Sequence, residues 1–256
     1  MQFVLRKLLN YVSPSVHASY PGPLEKMIVR RTKRGKIPYY HYPLDVPRWV
    51  PADRDRHTRP DDAVLGLVVD ETAYALPWWI MKNHHVANLV FQSTPIVVTL
   101  CEACASASAF VPLVNGTRHR FCVEGTYNTT PILSDFESRS LWAMFTGEAL
   151  YGPLEGARLP RWPLHQSRWR EWRALYPRTM ILNGRGESRR GHGFDCLDPD
   201  SRVVPGFIAR TQLHYDDRLP QSTLVLGVEL PSHAKAYPLD VLHRRGAVLE
   251  LSLIDI

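Results

Sequence analysis

Eighteen residues of this chain recur without a gap 161 positions further on, and that recurrence narrows the possible folds more than any other feature. Val64-Leu65-Gly66 through Ala73-Tyr74-Ala75-Leu76-Pro77 to Met81 aligns with Val225-Leu226-Gly227 through Ala234-Lys235-Ala236-Tyr237-Pro238 to Leu242, with six of the eighteen positions identical. Self-similarity of this kind marks one supersecondary unit used twice. In the first copy Val64–Val69 predicts a strand, Asp70-Glu71 a turn and Thr72–Leu76 the returning strand. Pro77 suits the first position of a helix, where its missing N–H has no intrahelical partner to lose. That helix is expected over residues 78–85, losing order near Asn88. The second copy reaches Ile256 at the equivalent of position 95, before any counterpart of Cys101. A site is therefore expected in the first copy, with the second as scaffold.

Between the copies the signals are mostly β. Ile96-Val97-Val98-Thr99-Leu100 reads as a buried strand from its β-branched content. Ala109–Val111 and Leu113-Val114 lead into Asn115-Gly116, followed by Thr117–Val123. Asn-Gly between such runs is the strongest short-range hairpin signal, because both central residues of that turn need positive φ. Trp169, Trp172 and Tyr176 share one face of a helix that stops before Pro177, and this face is expected to be core packing. The fold class expected is α+β and β-rich, with two related hairpin-plus-helix repeat units (64–81 and 225–242) packed as one domain over residues 49–256. Sandwich and open-barrel arrangements both fit.

Residues 1–48 read as a basic, Pro-rich N-terminal arm. Within residues 1–36, eight Lys or Arg face the single acid Glu25, a balance of +7; the other 220 residues hold 23 bases and 24 acids, a balance of −1. The net charge of +6 thus belongs to one segment, densest at Arg30, Arg31, Lys33, Arg34 and Lys36. Such a run is a solvated arm, or a docking element in residues 26–36 for an acidic partner. No basic and aromatic alternation continues through the body, so a nucleic-acid binder is not expected. With 45% hydrophobic and 22% charged residues, disordered and fibrous classes are excluded. No apolar run reaches the roughly 20 residues of a membrane span. The opening MQFVLRKLLNYV has charges inside its apolar stretch and makes a poor signal peptide. A cytoplasmic location is expected.

The chemistry concentrates at Cys101-Glu102-Ala103-Cys104, directly after the buried strand. Three readings stand side by side. Two thiolates at this spacing can share a metal ion, although a structural zinc ribbon would need a second pair, and Cys122 and Cys196 stand alone. A thiol-redox pair also fits, but residues 105–109 leave no room for the long helix that usually activates the first thiol. The third reading is two small cysteines packed under a strand end. His84 and His85 fall near the end of the first helix, which a following strand can bring close to Cys101. Adjacent helical side chains diverge by about 100°, so at most one of them should point inward. No G-x-S-x-G elbow, Walker loop or H-E-x-x-H motif is present. Gly184-Arg185-Gly186 and Gly191-His192-Gly193 read as loop rather than phosphate cradle.

Several runs resemble the central signature of the domain-of-unknown-function 3179 family. They are Phe121-Cys122-Val123-Glu124-Gly125-Thr126-Tyr127-Asn128, Asp135, Ser140-Leu141-Trp142 through Thr146-Gly147-Glu148-Ala149, and Gly152-Pro153-Leu154-Glu155-Gly156. The strand with Cys101-x-x-Cys104, the Trp169-x-x-Trp172 helix and the late Asp216-Asp217-Arg218-Leu219-Pro220 run resemble it too, so the likeness spans about residues 42 to 250. Typical members carry His at the position of His84 and at that of His214. They have Glu where this chain has His85, Pro where it has Glu102 and often Ser where it has Glu124. The resemblance brings no activity with it. Combined with the residues, it leads to the expectation of a small-molecule enzyme in which Cys101, Cys104 and His84 hold copper or zinc for redox or lyase chemistry. Glu102, Glu124, His85 and Tyr127 are then the candidate acid/base groups. The alternatives are a metal-free thiol-redox protein cycling Cys101 and Cys104, and a non-catalytic binding or assembly module docked through the arm.

Overall fold

A computed structural model of the chain describes residues 27–28, 42–102, 104–127, 130–187, 189, 218–220, 223–229 and 234–245. The basic run at residues 30–36, the Gly191-His192-Gly193 loop, Cys196 and His214 lie outside them. The described chain is β-rich α+β, as its short apolar runs and frequent turn residues predict.

In chain order the strands are β1 (Met27–Ile28), β2 (Trp49–Pro51), β3 (Ala63–Val69), β4 (Thr72–Pro77), β5 (Val86–Phe91), β6 (Thr94–Cys101) and β7 (Ser106–Phe110). They continue with β8 (Leu113–Val114), β9 (Thr117–Arg118), β10 (Phe121–Tyr127), β11 (Thr130–Asp135), β12 (Leu141–Ala143), β13 (Ala149–Tyr151), β14 (His165–Arg168) and β15 (Met180–Leu182). The last pair is β16 (Val225–Glu229) and β17 (Ala234–Pro238). Three α-helices, α1 (Trp78–His84), α2 (Trp169–Leu175) and α3 (Leu239–Arg245), complete the described elements apart from one 3-10 turn at Ala52–Arg54. None is long and apolar enough to cross a membrane.

Three sheets stack as layers, and side-chain alternation shows why. The first is β14-β3-β4-β15-β2, the second β5-β6-β7 and the third β1-β10-β11-β12-β13. Successive strand residues point to opposite faces. On β6 the even positions Ile96, Val98 and Leu100 join Leu65, Leu67 and Leu76 of the first sheet. The odd positions Val97 and Cys101 join Phe121, Leu133 and Trp142 of the third. The second sheet is thus buried on both faces, so β6 is an almost unbroken apolar run. Asn88 of β5 ties the second layer to the third: its side-chain amide donates to the Phe121 carbonyl at 2.9 Å, and its oxygen accepts the Phe121 N–H at 2.8 Å. The outer face of β3 and β4 carries Val64, Ala73 and Ala75 against Trp169 and Trp172 of α2. The aromatic face predicted for that helix is core.

Local chemistry explains the turns. Asp70 and Glu71 take φ of 46° and 64°, and Asn115 and Gly116 take 50° and 77°, the paired positive values that two-residue hairpins need. Pro77 stands one position earlier than expected. It still pairs with Val64 in the β3–β4 ladder and stays extended (φ −61°, ψ 134°), so α1 begins at Trp78. The helix also ends sooner, because His85 turns left-handed (φ 61°) and its N–H closes on the Met81 carbonyl at 2.7 Å. Val86–Phe91, beyond that point, is strand β5, an element the sequence reading did not contain.

The late hairpin has the register of the early one. Val64 faces Pro77 and Gly66 faces Ala75; Val225 faces Pro238 and Gly227 faces Ala236. Their surroundings differ. A Cβ on Gly66 would run into the Trp172 ring, whereas one on Gly227 meets nothing within 4 Å. Gly66→Ala should therefore cost about 1–3 kcal/mol through overpacking, and Gly227→Ala should leave stability within about 0.5 kcal/mol. Urea denaturation of the two variants checks the difference.

Candidate functional site

The C-x-x-C segment is built by the end of β6. Cys101 is its last residue and pairs with Ser106, the first residue of β7. The intervening turn folds back through bonds from the Cys104 N–H to the Cys101 carbonyl (3.3 Å) and from the Ala105 N–H to the Glu102 carbonyl (3.2 Å), with Ala105 at φ 51°. Its far side is held by the Ser106 hydroxyl, which donates to the Cys104 carbonyl at 2.9 Å, and by the Gln166 amide, which donates to the Ala105 carbonyl at 3.3 Å. No helix follows, as the sequence predicts; β7 does.

The two cysteines are joined as a disulfide, with Cα atoms 5.2 Å apart. The Cys104 N–H also lies 3.2 Å from the Cys101 sulfur. Cys101 is 2% exposed and sits on the face of β6 that meets the third sheet. Cys104 is half-buried in the turn. Disulfide sulfurs are poor metal ligands, because metals bind the thiolate; a metal centre here would require reduction first.

The two histidines separate as adjacent helical residues must, and they do so in an informative way. His84 faces the Tyr42 carbonyl through Nδ1 (2.8 Å) and Glu187 Oε1 through Nε2 (3.3 Å). Asn83 donates to the other Glu187 oxygen at 3.2 Å. His85 is the one that engages the strand carrying the site: its carbonyl accepts the Leu100 N–H at 2.7 Å, and its Nδ1 donates to the Leu100 carbonyl at 3.1 Å. The residue before Cys101 is thus gripped by His85, whereas the sequence reading assigned His84 to the thiols.

The remaining candidates fall in three places. Glu102 is half-buried within the C-x-x-C turn. Glu124 lies where the β10–β11 register slips between Val123 and Gly125, a bulge of the kind that redirects one side chain. Val123, before it in the strand, and Cys104 both pack against the second buried cluster. Tyr127 ends β10, opposite Thr130 in the ladder. Cys122, buried on β10, has its thiol pushed up to about 12 by burial and by the nearby Glu124 charge, so it stays protonated and inert.

A second constellation escaped the sequence reading. Asp135 is fully buried, yet its two oxygens accept five bonds, from His119 Nδ1 (3.0 Å), the Ser138 N–H and hydroxyl (2.5 and 2.7 Å), the Ser140 N–H (3.1 Å) and Trp142 Nε1 (2.9 Å). Glu137 lies close enough that, among the described residues, His119, Asp135 and Glu137 form the one trio with metal-ligating atoms within 4.8 Å of one another. These groups are already engaged, however: Asp135 by those donors, and the two Glu137 oxygens by the Arg120 N–H (2.7 Å) and Nε (3.3 Å). The arrangement is a latch that fixes the β11–β12 turn and the start of β10. The spacing Asp135, Ser138, Ser140, Trp142 was the available signal, since Asx-type turns use just such side chains.

These observations define a layered, β-rich α+β protein with a cystine at the end of its central strand. Residues 35–253 match the model of the family described as protein of unknown function (DUF3179), which covers most of the chain, and the chain belongs to that family. Comparison with curated proteins and with solved structures gave no match. Asp135, Ser140 and Trp142 of the signature that carries the resemblance are latch residues.

The latch has a pH signature. Burial alone would raise the Asp135 pKa, but bonds from Trp142, Ser138 and His119 outweigh it and hold the group below its ordinary 3.8. A carboxyl depressed on folding adds stability that is complete above the unfolded value and drains away as pH falls below 3.8. Asp135→Asn should cost about 2–4 kcal/mol at neutral pH. Urea titrations should show the gap to wild type narrowing as the pH drops below 3.8.

Proposed function

We propose that this chain is a thiol–disulfide redox protein whose working couple is Cys101 and Cys104. The observation that carries the reading is the closed cystine across the turn, with the Cys104 amide directed at the Cys101 sulfur. An N–H on a sulfur favours the thiolate that appears on reduction.

A purely structural role fits less well on magnitude. A cross-link stabilises mainly by restricting the unfolded chain, and the gain grows with the loop closed. Closing a four-residue loop is worth about 2 kcal/mol on that model, against about 3 kcal/mol for fifteen residues. The ladder between β6 and β7 already holds the two ends of this turn together, so the bond adds little to the fold. A pair that opens and closes at small cost to the structure suits exchange chemistry better than stapling.

His85 and Glu102 are the titratable groups this reading places beside the couple. The hold of His85 on Leu100 supports the first, and the position of Glu102 within the turn supports the second. The substrate class is a thiol or disulfide compound. We also read the chain as two related hairpin-plus-helix units in one domain, because β16 and β17 repeat the register of β3 and β4, and α3 the bounds of α1, at the offset of 161 seen in the sequence. On that reading the first unit feeds directly into the sheet that carries the couple.

The test is site-resolved alkylation. After reduction by dithiothreitol, Cys101 and Cys104 should both label; after treatment with oxidised glutathione both should be protected, and the cycle should repeat. Cys122 serves as internal control and should label only once the protein is unfolded. Thiols that fail to re-oxidise while the reduced protein takes up one zinc or copper ion per chain would replace this reading with a metal centre on the same two sulfurs.

A further inference from the structure

We infer that the couple works with its second cysteine outward: an incoming thiolate attacks Cys104, and Cys101 is the buried sulfur that leaves and that, when Cys104 carries a mixed disulfide, re-closes the bond by displacing the substrate thiolate. The inference rests on the redox reading above and adds to it the polarity of the site.

Thiol–disulfide exchange is a displacement at one sulfur of the pair, so access and leaving-group stability together select which sulfur is attacked. Access points to Cys104 here, and hydrogen bonding supports Cys101 as the sulfur that leaves. Cys101 is 2% exposed, and its side chain packs against Phe121, Leu133 and Trp142 between two sheets. Cys101 is therefore the less accessible sulfur of the two to an incoming thiolate. Cys104 is half-buried in a turn at the edge of the second sheet. As leaving group, the Cys101 thiolate must bear the cost of burial, and the Cys104 N–H, 3.2 Å from its sulfur, offsets that cost by stabilising the charge. Its backbone stays paired with Ser106, so it holds position while the turn residue carries the adduct.

The step balances. A substrate thiolate RS⁻ forms a bond to the Cys104 sulfur, the Cys101–Cys104 bond breaks, and its electron pair goes to Cys101 as thiolate. A second substrate thiolate then attacks the substrate sulfur of the mixed disulfide, releasing RSSR and leaving Cys104 as thiolate. Two thiolates are oxidised and one cystine is reduced. In C-x-x-C pairs set at a helix N-terminus the first cysteine is the activated thiol, since the helix end lowers its pKa. Here the pair follows a strand and enters another strand, and the order inverts.

Glutathione identifies the polarity. The oxidised full-length protein is mixed with reduced glutathione, quenched with an alkylating agent after short intervals and mapped by peptide mass. The adduct should appear on Cys104, with Cys101 alkylated. In parallel, reduced Cys101→Ser should form a mixed disulfide with 5,5′-dithiobis(2-nitrobenzoate) at least roughly tenfold faster at Cys104 than reduced Cys104→Ser does at Cys101. The two rates should converge in urea. Glutathione on Cys101, or a folded Cys104→Ser that reacts as fast as its counterpart, overturns the polarity and leaves the couple standing. Wild-type protein whose cystine glutathione and dithiothreitol both fail to open removes the redox reading and the polarity with it. The wild-type arm needs no variant to fold.

Discussion

Burial of β6 on both faces is the constraint that organises this molecule. A strand with one wet face can alternate apolar and polar residues, but one sandwiched between two sheets must satisfy both layers with side chains. Leu100 and Cys101 show the consequence in two consecutive residues. The first is committed to the layer containing β3 and β4, and the second to the layer containing β10 and β11. The polarity proposed for the cystine is therefore a property of the sheet stack, since the period of two decides which sulfur is hidden. Moving Cys101 by one residue would put it in the other core.

What was legible in the residues was whatever local chemistry decides. Asn115-Gly116 demands positive φ at both positions and obtains it; Pro177 stops a helix; Trp169 and Trp172 share a face and bury it. Elements whose identity depends on distant partners were harder to read. Val86–Phe91 is six residues of mostly apolar chain, which periodicity alone cannot assign to strand or helix. Its pairing with β6 decides the matter, and so does the double bond between Asn88 and the Phe121 backbone. The histidine pair is a finer case. That the two would diverge followed from helix geometry, but which one met the site depended on where the helix ended. His85 left the helix for the left-handed region and engaged Leu100, whereas the choice of His84 for the thiols came from the family resemblance and not from helix geometry.

The same distinction applies to chemistry. Conspicuous polar residues such as Asp135, Ser140 and Trp142 invite a catalytic interpretation. Yet a buried carboxylate with five donors is already satisfied, and its depressed pKa reports that satisfaction rather than readiness to move a proton. Burying such a charge is costly unless its lone pairs are met, and here they are met by the turn that follows β11, by Trp142 and by His119. The signature's polar core keeps β11, β12 and β10 in register, and through Phe121 it supports the layer on which Cys101 rests.

The redox couple proposed for these cysteines needs its two states to share one fold, and their placement is compatible with that. Were the cystine the tie between β6 and β7, reduction would release the sheet edge and couple the chemistry to unfolding. The Cys101–Ser106 pairing, the bond from Ser106 to the Cys104 carbonyl and the bond from Gln166 to Ala105 hold the turn without it. By linkage, the fold favours the closed bond by no more than that bond stabilises the fold. The oxidised form then gains only the roughly 2 kcal/mol of a four-residue closure. Structural cystines that resist reduction draw on the stability of the whole domain. This one has been built where the domain contributes little, and that is the arrangement exchange with external thiols requires.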